Sequence, residues 1–323
     1  MAWKQDGGNI YAFVDLMKDD SFSNPKTTPH PFKIHKLLIQ YRSLVPIGSL
    51  FSHYRYGGLL THARTEAAIS KNKDLAPAPI TIKSLPLSTI NIVHFPVKKY
   101  GGIFRSRTIK GSPYQIYAAI FSVELIRYIQ QNVTLAEGEV YRIGIISPYA
   151  IQSTLISKLL EKIGSGNVEV ISGTVHGFQG DECNLVIVVL NPPRNITRSL
   201  RSFLNKKNIL NVAISRARDK MIFLTPYDPE NELNLNDLHQ IRWIERLAGK
   251  LEDCKGAVAG YDATEIEKSL WGNKNHIEDI TFATIHQNVN IYTEALKMYE
   301  LRHDDNAIDV QVKINKRNND INI

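Results

Sequence analysis

The stretch that most constrains this chain is Leu185-Val186-Ile187-Val188-Val189-Leu190, an unbroken apolar run rich in β-branched residues. A strand with one wet face alternates polar and apolar residues; this run does not, so it reads as a strand covered on both faces, as in a parallel sheet between helices. Arg142–Ile146, Val168–Ile171 and Met221–Leu224 read as further short strands, and Ala150–Ile163 and Ile209–Arg218 as helices among them, the first closed by Gly164 and Gly166. Strands alternating with helices predict an α/β fold with a mostly parallel sheet and right-handed crossovers. In such sheets ligands gather at the carboxyl ends of the strands, where the polar segments after the first two strands of this core fall.

Outside this core the signals are weaker. Residues 1–33 are polar, broken by Gly7-Gly8, Pro25, Pro29 and Pro31, and read as an irregular N-terminal segment. The main domain is expected over 34–230. It opens on the apolar run Ile34–Tyr41 and carries a loop-rich insertion over about 57–100, with a short β-rich run at Asn91–Val97. Tyr114–Gln131 places Ile116, Ala119, Ile120, Val123 and Ile126 at helical spacing, which predicts an amphipathic helix. After Pro226 the character changes, and 231–323 is expected to form a small α+β extension. Its parts are helices at Leu235–Leu251 and Ala263–Trp271, a hairpin within Thr281–Ile314 and a frayed end.

Composition excludes more than it identifies. Lys and Arg number 39 against 32 Asp and Glu, a net +7 that suits a polyanionic partner without proving one. Cys183 and Cys254 make neither a disulfide framework nor a metal cluster, and fit reduced cytosolic thiols. No apolar run reaches the length of a membrane span, and Met1–Asp6 lacks an apolar signal core, so a cytoplasmic chain without a membrane partner is expected.

Four segments can carry chemistry. Gly173-Thr174-Val175-His176-Gly177-Phe178-Gln179-Gly180-Asp181-Glu182 lies between two strands. Its glycines permit sharp turns and close approach to a ligand, Thr174 and His176 can donate to phosphate oxygens, and Glu182 can hold a ribose hydroxyl. A plain turn with a helix cap explains the same residues. In Asn211-Val212-Ala213-Ile214-Ser215-Arg216-Ala217-Arg218, Arg216 and Arg218 point to different sides of the expected helix. A guanidinium grips phosphate bidentately, though a pair of surface arginines is the simpler reading of this segment alone. Gln40-Tyr41-Arg42 sets an aromatic ring beside a cation, a pairing that can stack a base and hold a phosphate. Ser147-Pro148-Tyr149 with Gln152 stands just past a strand end, where Ser147 can cap the next helix and the helix start can attract phosphate.

Taken together and in this order, the four segments resemble the second RecA-like domain of superfamily 1 helicases, most closely the group containing the nonsense-mediated-decay helicase. The match spans roughly residues 34–225. The glycine segment is similar to that family's motif V, the Arg216 segment to motif VI and Gln40-Tyr41-Arg42 to motif IV. The resemblance implies a RecA-like, P-loop-NTPase-type sheet flanked by helices. It also implies roles. Arg42 and Arg216 contact the γ-phosphate of ATP, Arg216 as the arginine finger, and Tyr41 lies near the base. Gly180 and Glu182 meet the nucleotide, Glu182 at the ribose. Ser147, Pro148, Tyr149, Thr174 and His176 touch the backbone of single-stranded DNA or RNA. The basic stretch Arg194, Arg198, Arg201, Lys206 and Lys207 adds non-specific phosphate attraction or is simply solvated.

The sequence departs from the family in one large respect. Gly-Lys-Ser and Gly-Lys-Thr occur nowhere in it, so it holds no P-loop for the β- and γ-phosphates, and residues 1–30 contain no acidic pair after an apolar strand to hold Mg²⁺. The first RecA-like domain is therefore expected to be missing, with no metal ligands supplied by this chain and no ATPase from it alone. The leading reading is the C-terminal motor half of an ATP-dependent helicase, completed in cis or in trans by a P-loop-bearing half that supplies the Mg²⁺ site. The alternative is a helicase-derived module that binds single-stranded nucleic acid or a protein without turnover. An unrelated α/β nucleotide-binding enzyme explains the segments one at a time but not together.

Overall fold

The computed structural model describes residues 37–96, 106–109, 111–135, 138, 140–163, 166–178, 180–191, 203–227 and 238–271. Its centre is a six-stranded sheet. The strands are β1 (Ile90–Pro96), β2 (Arg142–Ser147), β3 (Glu169–Thr174), β4 (Cys183–Val189), β5 (Ala217–Tyr227) and β6 (Val258–Asp262). They lie in the order β6-β1-β5-β4-β2-β3, and every neighbouring pair is parallel. The apolar run behaves as its composition dictates: Leu185 to Val189 are all 0% exposed.

The principal helices are α1 (Val45–Tyr56), α2 (Ile116–Asn132), α3 (Ala150–Ile163), α4 (Lys207–Ile214), α5 (His239–Lys250) and α6 (Ala263–Trp271). From β1 to β3 the chain advances toward one edge of the sheet; from β4 to β6 it advances toward the other. Right-handed crossovers put α2 and α3 on one face and α4 and α5 on the opposite face. The packing agrees, since α2 contacts α3 and α6, while α1 contacts α4 and α5. Between β4 and β2, which are followed by helices on opposite faces, lies the topological switch point. In open sheets of this type ligands gather outside the carboxyl ends at that point. This is the RecA-like, P-loop-NTPase type of α/β sheet that the resemblance implies.

Several local expectations change. The helix at Ile116–Asn132 is buried nearly all round rather than on one stripe, because α3 and α6 both pack on it. The helix expected to reach Arg218 ends at Ile214; Ser215 and Arg216 form a turn, and Ala217 and Arg218 begin β5. Arg216 and Arg218 therefore do not share a helix. The strand read as ending at Ile171 continues through Gly173 and Thr174. Ile90–Pro96, within the expected insertion, is an inner strand paired on both sides, by β5 and by β6. The described part of the expected extension, residues 238–271, supplies the edge strand β6 and two flanking helices to this same sheet. The hairpin expected within Thr281–Ile314 and the segment 1–33 lie outside the described residues.

Candidate functional site

The sequence-predicted residues fall at two opposite ends of the sheet. At the amino ends of β4 and β5, the short Gln40 segment is sutured along the chain that enters β5. Ser43 Oγ donates to the Ala217 carbonyl at 2.6 Å and Leu44 N to the Arg218 carbonyl at 2.9 Å. Gln40 explains its own place in Gln40-Tyr41-Arg42. Its Oε1 accepts from Ser43 N and its Nε2 donates to the Ser43 carbonyl, both at 2.9 Å, so one amide closes the turn with Tyr41 and Arg42 at its tip. Tyr41 is left 69% exposed, an open ring face beside the cation.

Arg42 and Arg216 converge there. Arg42 Nε donates to Glu182 Oε2 at 2.8 Å and Arg42 Nη1 to the Ser215 carbonyl at 2.6 Å. Arg216 folds back onto the end of α4, donating from Nε to the Val212 carbonyl at 3.2 Å. Its Nη2 reaches Ser215 Oγ at 3.3 Å and its Nη1 the Asp181 carbonyl at 3.4 Å. Among the described residues the Arg216 hydrogen bonds thus all end on neutral oxygens, unlike those of Arg42. Burial, and next the neighbouring Arg42 charge, lower the Arg216 pKa below its ordinary value. The hydrogen bond from Arg42 holds the Glu182 carboxyl below the usual carboxylate range. The arrangement is a half-buried cation without a carboxylate partner among the described residues, next to a second cation whose carboxylate partner is 46% exposed and free to yield.

What holds the two segments in register is a residue that the sequence pattern does not mark. Arg64 is 2% exposed, and all five of its N–H donors are used. They go to the carbonyls of Leu75, Ala76, Arg42 and Arg218 and to Asp219 Oδ1, at 2.7 to 3.0 Å. The other Asp219 oxygen accepts from Ala78 N and Asn184 Nδ2. The loop after α1, the arginine segment and the starts of β4 and β5 are thereby tied to one buried ion pair. Nothing in local periodicity singles out Arg64, because its partners are distant in sequence.

The glycine segment connects the two ends. It leaves β3 at the carboxyl end and reaches β4 at the amino end, a return of about 20 Å along the strand direction at ordinary strand rise. Phe178 anchors it: a Cβ on Gly144 of β2 or on Gly173 would lie 2.9 Å from the Phe178 ring. Gly173 therefore makes room for a side chain of the protein itself. Gly180 is different. Its φ of +107° needs glycine, while a Cβ there would meet nothing within 4 Å.

At the carboxyl ends, Ser147 is 0% exposed and its Oγ accepts from Tyr149 N at 3.3 Å, a local turn rather than an open contact. Pro148 is buried, Tyr149 and Thr174 are half-buried and His176 is exposed. Thr174 Oγ1 accepts from Gly177 N at 3.2 Å. Gln152 is buried and structural: its amide pairs with both the N–H and the carbonyl of Gln115, just before α2. Arg194, Arg198 and Arg201 lie outside the described residues, whereas Lys206 and Lys207 are exposed. Both cysteines are buried and free, and burial pushes the Cys183 thiol up to about 12 and that of Cys254 to about 11, so neither is a ready nucleophile. Among the described residues no group of three or more His, Cys, Asp or Glu can hold a metal, and no helix is long and apolar enough to cross a membrane.

The parallel sheet, the glycine segment and the paired arginines define a nucleotide-handling α/β domain of helicase type. The chain belongs to the AAA domain family, which it matches over residues 16–227. It is 42% identical over 131 residues to the DNA replication ATP-dependent helicase/nuclease DNA2 of Bos taurus, a stretch that covers 39% of this chain and 12% of the relative. To the protein of the same name in Mus musculus it is 39% identical over 82 residues, covering 25% of this chain and 7% of the relative. The match thus spans about an eighth or less of either relative.

Proposed function

We propose that this chain is the second RecA-like half of a superfamily 1 helicase motor of the nonsense-mediated-decay helicase group. In this reading it provides the arginine wall of an ATP cleft whose other wall bears the P-loop. The observation that carries the reading is the meeting of Arg42 and Arg216 around Ser215, with the Arg216 guanidinium held by neutral oxygens. Such a cation gains most from an anion presented across a cleft, because the anion replaces weak neutral partners with a charge-assisted, bidentate contact. In phosphoryl transfer that anion is the γ-phosphate, and an arginine from the far wall stabilises the charge that builds on it.

In this reading Arg216 is the arginine finger and Arg42 leaves Glu182 to reach the same phosphate. The released Glu182 accepts from a ribose hydroxyl, Tyr41 meets the base, and the backbone at Gly180 lies against the nucleotide. Mg²⁺ ligands come from the P-loop wall, whose motif this sequence does not contain. Ser147, Pro148, Tyr149, Thr174 and His176 line the path of single-stranded DNA or RNA at the other end of the sheet. For the two buried members, Ser147 and Pro148, contact runs through backbone atoms.

The test is reconstitution. The chain alone should show no ATPase. Adding a P-loop-bearing first RecA-like domain, fused or in trans, should give strand-stimulated hydrolysis that Arg216→Ala abolishes. An intact rate in the Arg216→Ala complex would remove the finger assignment. Strand binding with no restorable hydrolysis would favour a helicase-derived binding module.

A further inference from the structure

We propose that Phe203, a residue outside the helicase-like segments, is the hub of a base-stacking platform for single-stranded nucleic acid, with Lys206 as its phosphate contact. This rests on the reading that the carboxyl end of the sheet meets a single strand.

Two other parts of the chain converge on the Phe203 ring, and a lysine of its own segment stands beside it. Tyr149, from the turn after β2, lies 5.9 Å from it between ring centroids, at an interplanar angle of 40°. His176, from the glycine segment, lies 6.3 Å away at 59°. The ammonium of Lys206, just before α4, stands 5.4 Å from the centroid of the same ring. Tyr149 follows β2, His176 follows β3, and Phe203 and Lys206 precede α4, the helix that packs on β4 and β5.

The cluster has the composition that a sequence-tolerant strand-binding surface needs. Aromatic faces stack any base, and a lysine beside them meets the adjoining phosphate. It is also incompletely buried: Phe203 and Tyr149 are half-buried against the core, and His176 and Lys206 are exposed. The two rings thus lean on the core with one edge open, while the imidazole and the ammonium stand in solvent.

A second observation lies at the carboxyl end of β4, which leads into Asn191; that residue is 0% exposed and has neither Nδ2 nor Oδ1 hydrogen-bonded among the described residues. A buried amide left wholly unpaired is costly, and a polar ligand or bound water entering beside it relieves that cost.

Fluorescence anisotropy with labelled (dT)20 and (rU)20 at several salt concentrations tests the proposal. Phe203→Ala should weaken binding to the preferred strand about tenfold, the loss expected for one stacked base. Lys206→Ala should reduce the salt slope by about 0.7, the value for one phosphate contact on a single strand. Phe203→Trp should keep the affinity and show indole quenching on strand addition that the wild type lacks. Quenching in that variant would also show that the residue meets the strand, apart from any folding defect in Phe203→Ala. Wild-type affinity in both alanine variants, with an unquenched indole in Phe203→Trp, would overturn the platform while leaving the strand-binding reading intact. If the wild type binds neither oligonucleotide, the strand-binding reading fails and takes the platform with it.

Discussion

The two ends of the sheet are built by different means. At the carboxyl end, each candidate residue is placed by its own strand: Ser147 and Thr174 are the last residues of β2 and β3, and the turns that follow close on local hydrogen bonds. At the amino end, Arg42, Glu182 and Arg216 are brought together by contacts between segments far apart in the chain, and Arg64 with Asp219 forms the knot beneath them. A turn after a strand is a local, tolerant device. A cluster assembled across the sequence depends on long-range ties, among them the buried Arg64–Asp219 ion pair, so the two ends should fail differently.

The largest effect should come from cutting that tie. Replacing Arg64 by Met leaves Asp219, 3% exposed, without its cation, and breaking such a buried pair costs about 3–5 kcal/mol. Urea unfolding of Arg64→Met should show this loss, and replacing Asp219 by Leu as well should recover part of it. A loss below about 1 kcal/mol, the range of an exposed pair, would mean that the knot does not hold the amino end together.

A smaller effect is expected where the glycine segment crosses between the ends. Gly173→Ala puts a Cβ against the Phe178 ring and should cost about 1–3 kcal/mol as an overpacked core site. Phe178→Leu in the same chain should relieve the clash. Gly180→Ala tests the other glycine mechanism, since its cost comes from φ alone and no trimming of neighbours should recover it.

The smallest effect is a pH dependence at the amino end. His62 contacts Gln40 Nε2 through Nδ1 and Ser49 Oγ through Nε2, both at 3.0 Å. Burial lowers its pKa below the ordinary 6.5, opposed in part by Asp253. The unfolded chain therefore takes up the proton first as pH falls. Stability from neutral His62 is complete above about pH 6.5 and declines below it. His62→Gln should flatten the melting temperature between about pH 6.5 and 5; an unchanged slope would remove His62 as its source.

The same contrast explains what the sequence discloses. The apolar run at Leu185–Leu190 and the helix at Ala150–Ile163 are local patterns, and both elements stand where periodicity puts them. The convergence of Arg42 and Arg216 is legible only as motifs in a known order, because no spacing rule links two segments so far apart. Arg64, Asp219 and Phe203 are not legible. A buried guanidinium has no period, and Phe203 gains its meaning from rings contributed by two other segments. The helix end at Ile214 escapes periodicity for a related reason: apolar residues at Ile209, Ala213 and Ala217 keep helical spacing, but the pairing of Ala217 with Cys183 takes the last of them into the sheet.

The claim beneath all of this is that nucleotide phosphates are met at the amino end, by Arg42 and Arg216, and strands at the carboxyl end. The most direct measurement is an NMR titration of arginine ¹⁵Nε–¹H signals in the ¹⁵N-labelled chain, first with Mg·ATPγS and separately with (dT)20, with backbone amides followed in parallel. The account predicts that the nucleotide moves the Arg42 and Arg216 signals together, while the oligonucleotide shifts the amides of Tyr149, His176 and Lys206 and leaves those two arginines in place. Arginine signals that ignore the nucleotide at saturating concentration, or that move only with the oligonucleotide, would contradict it.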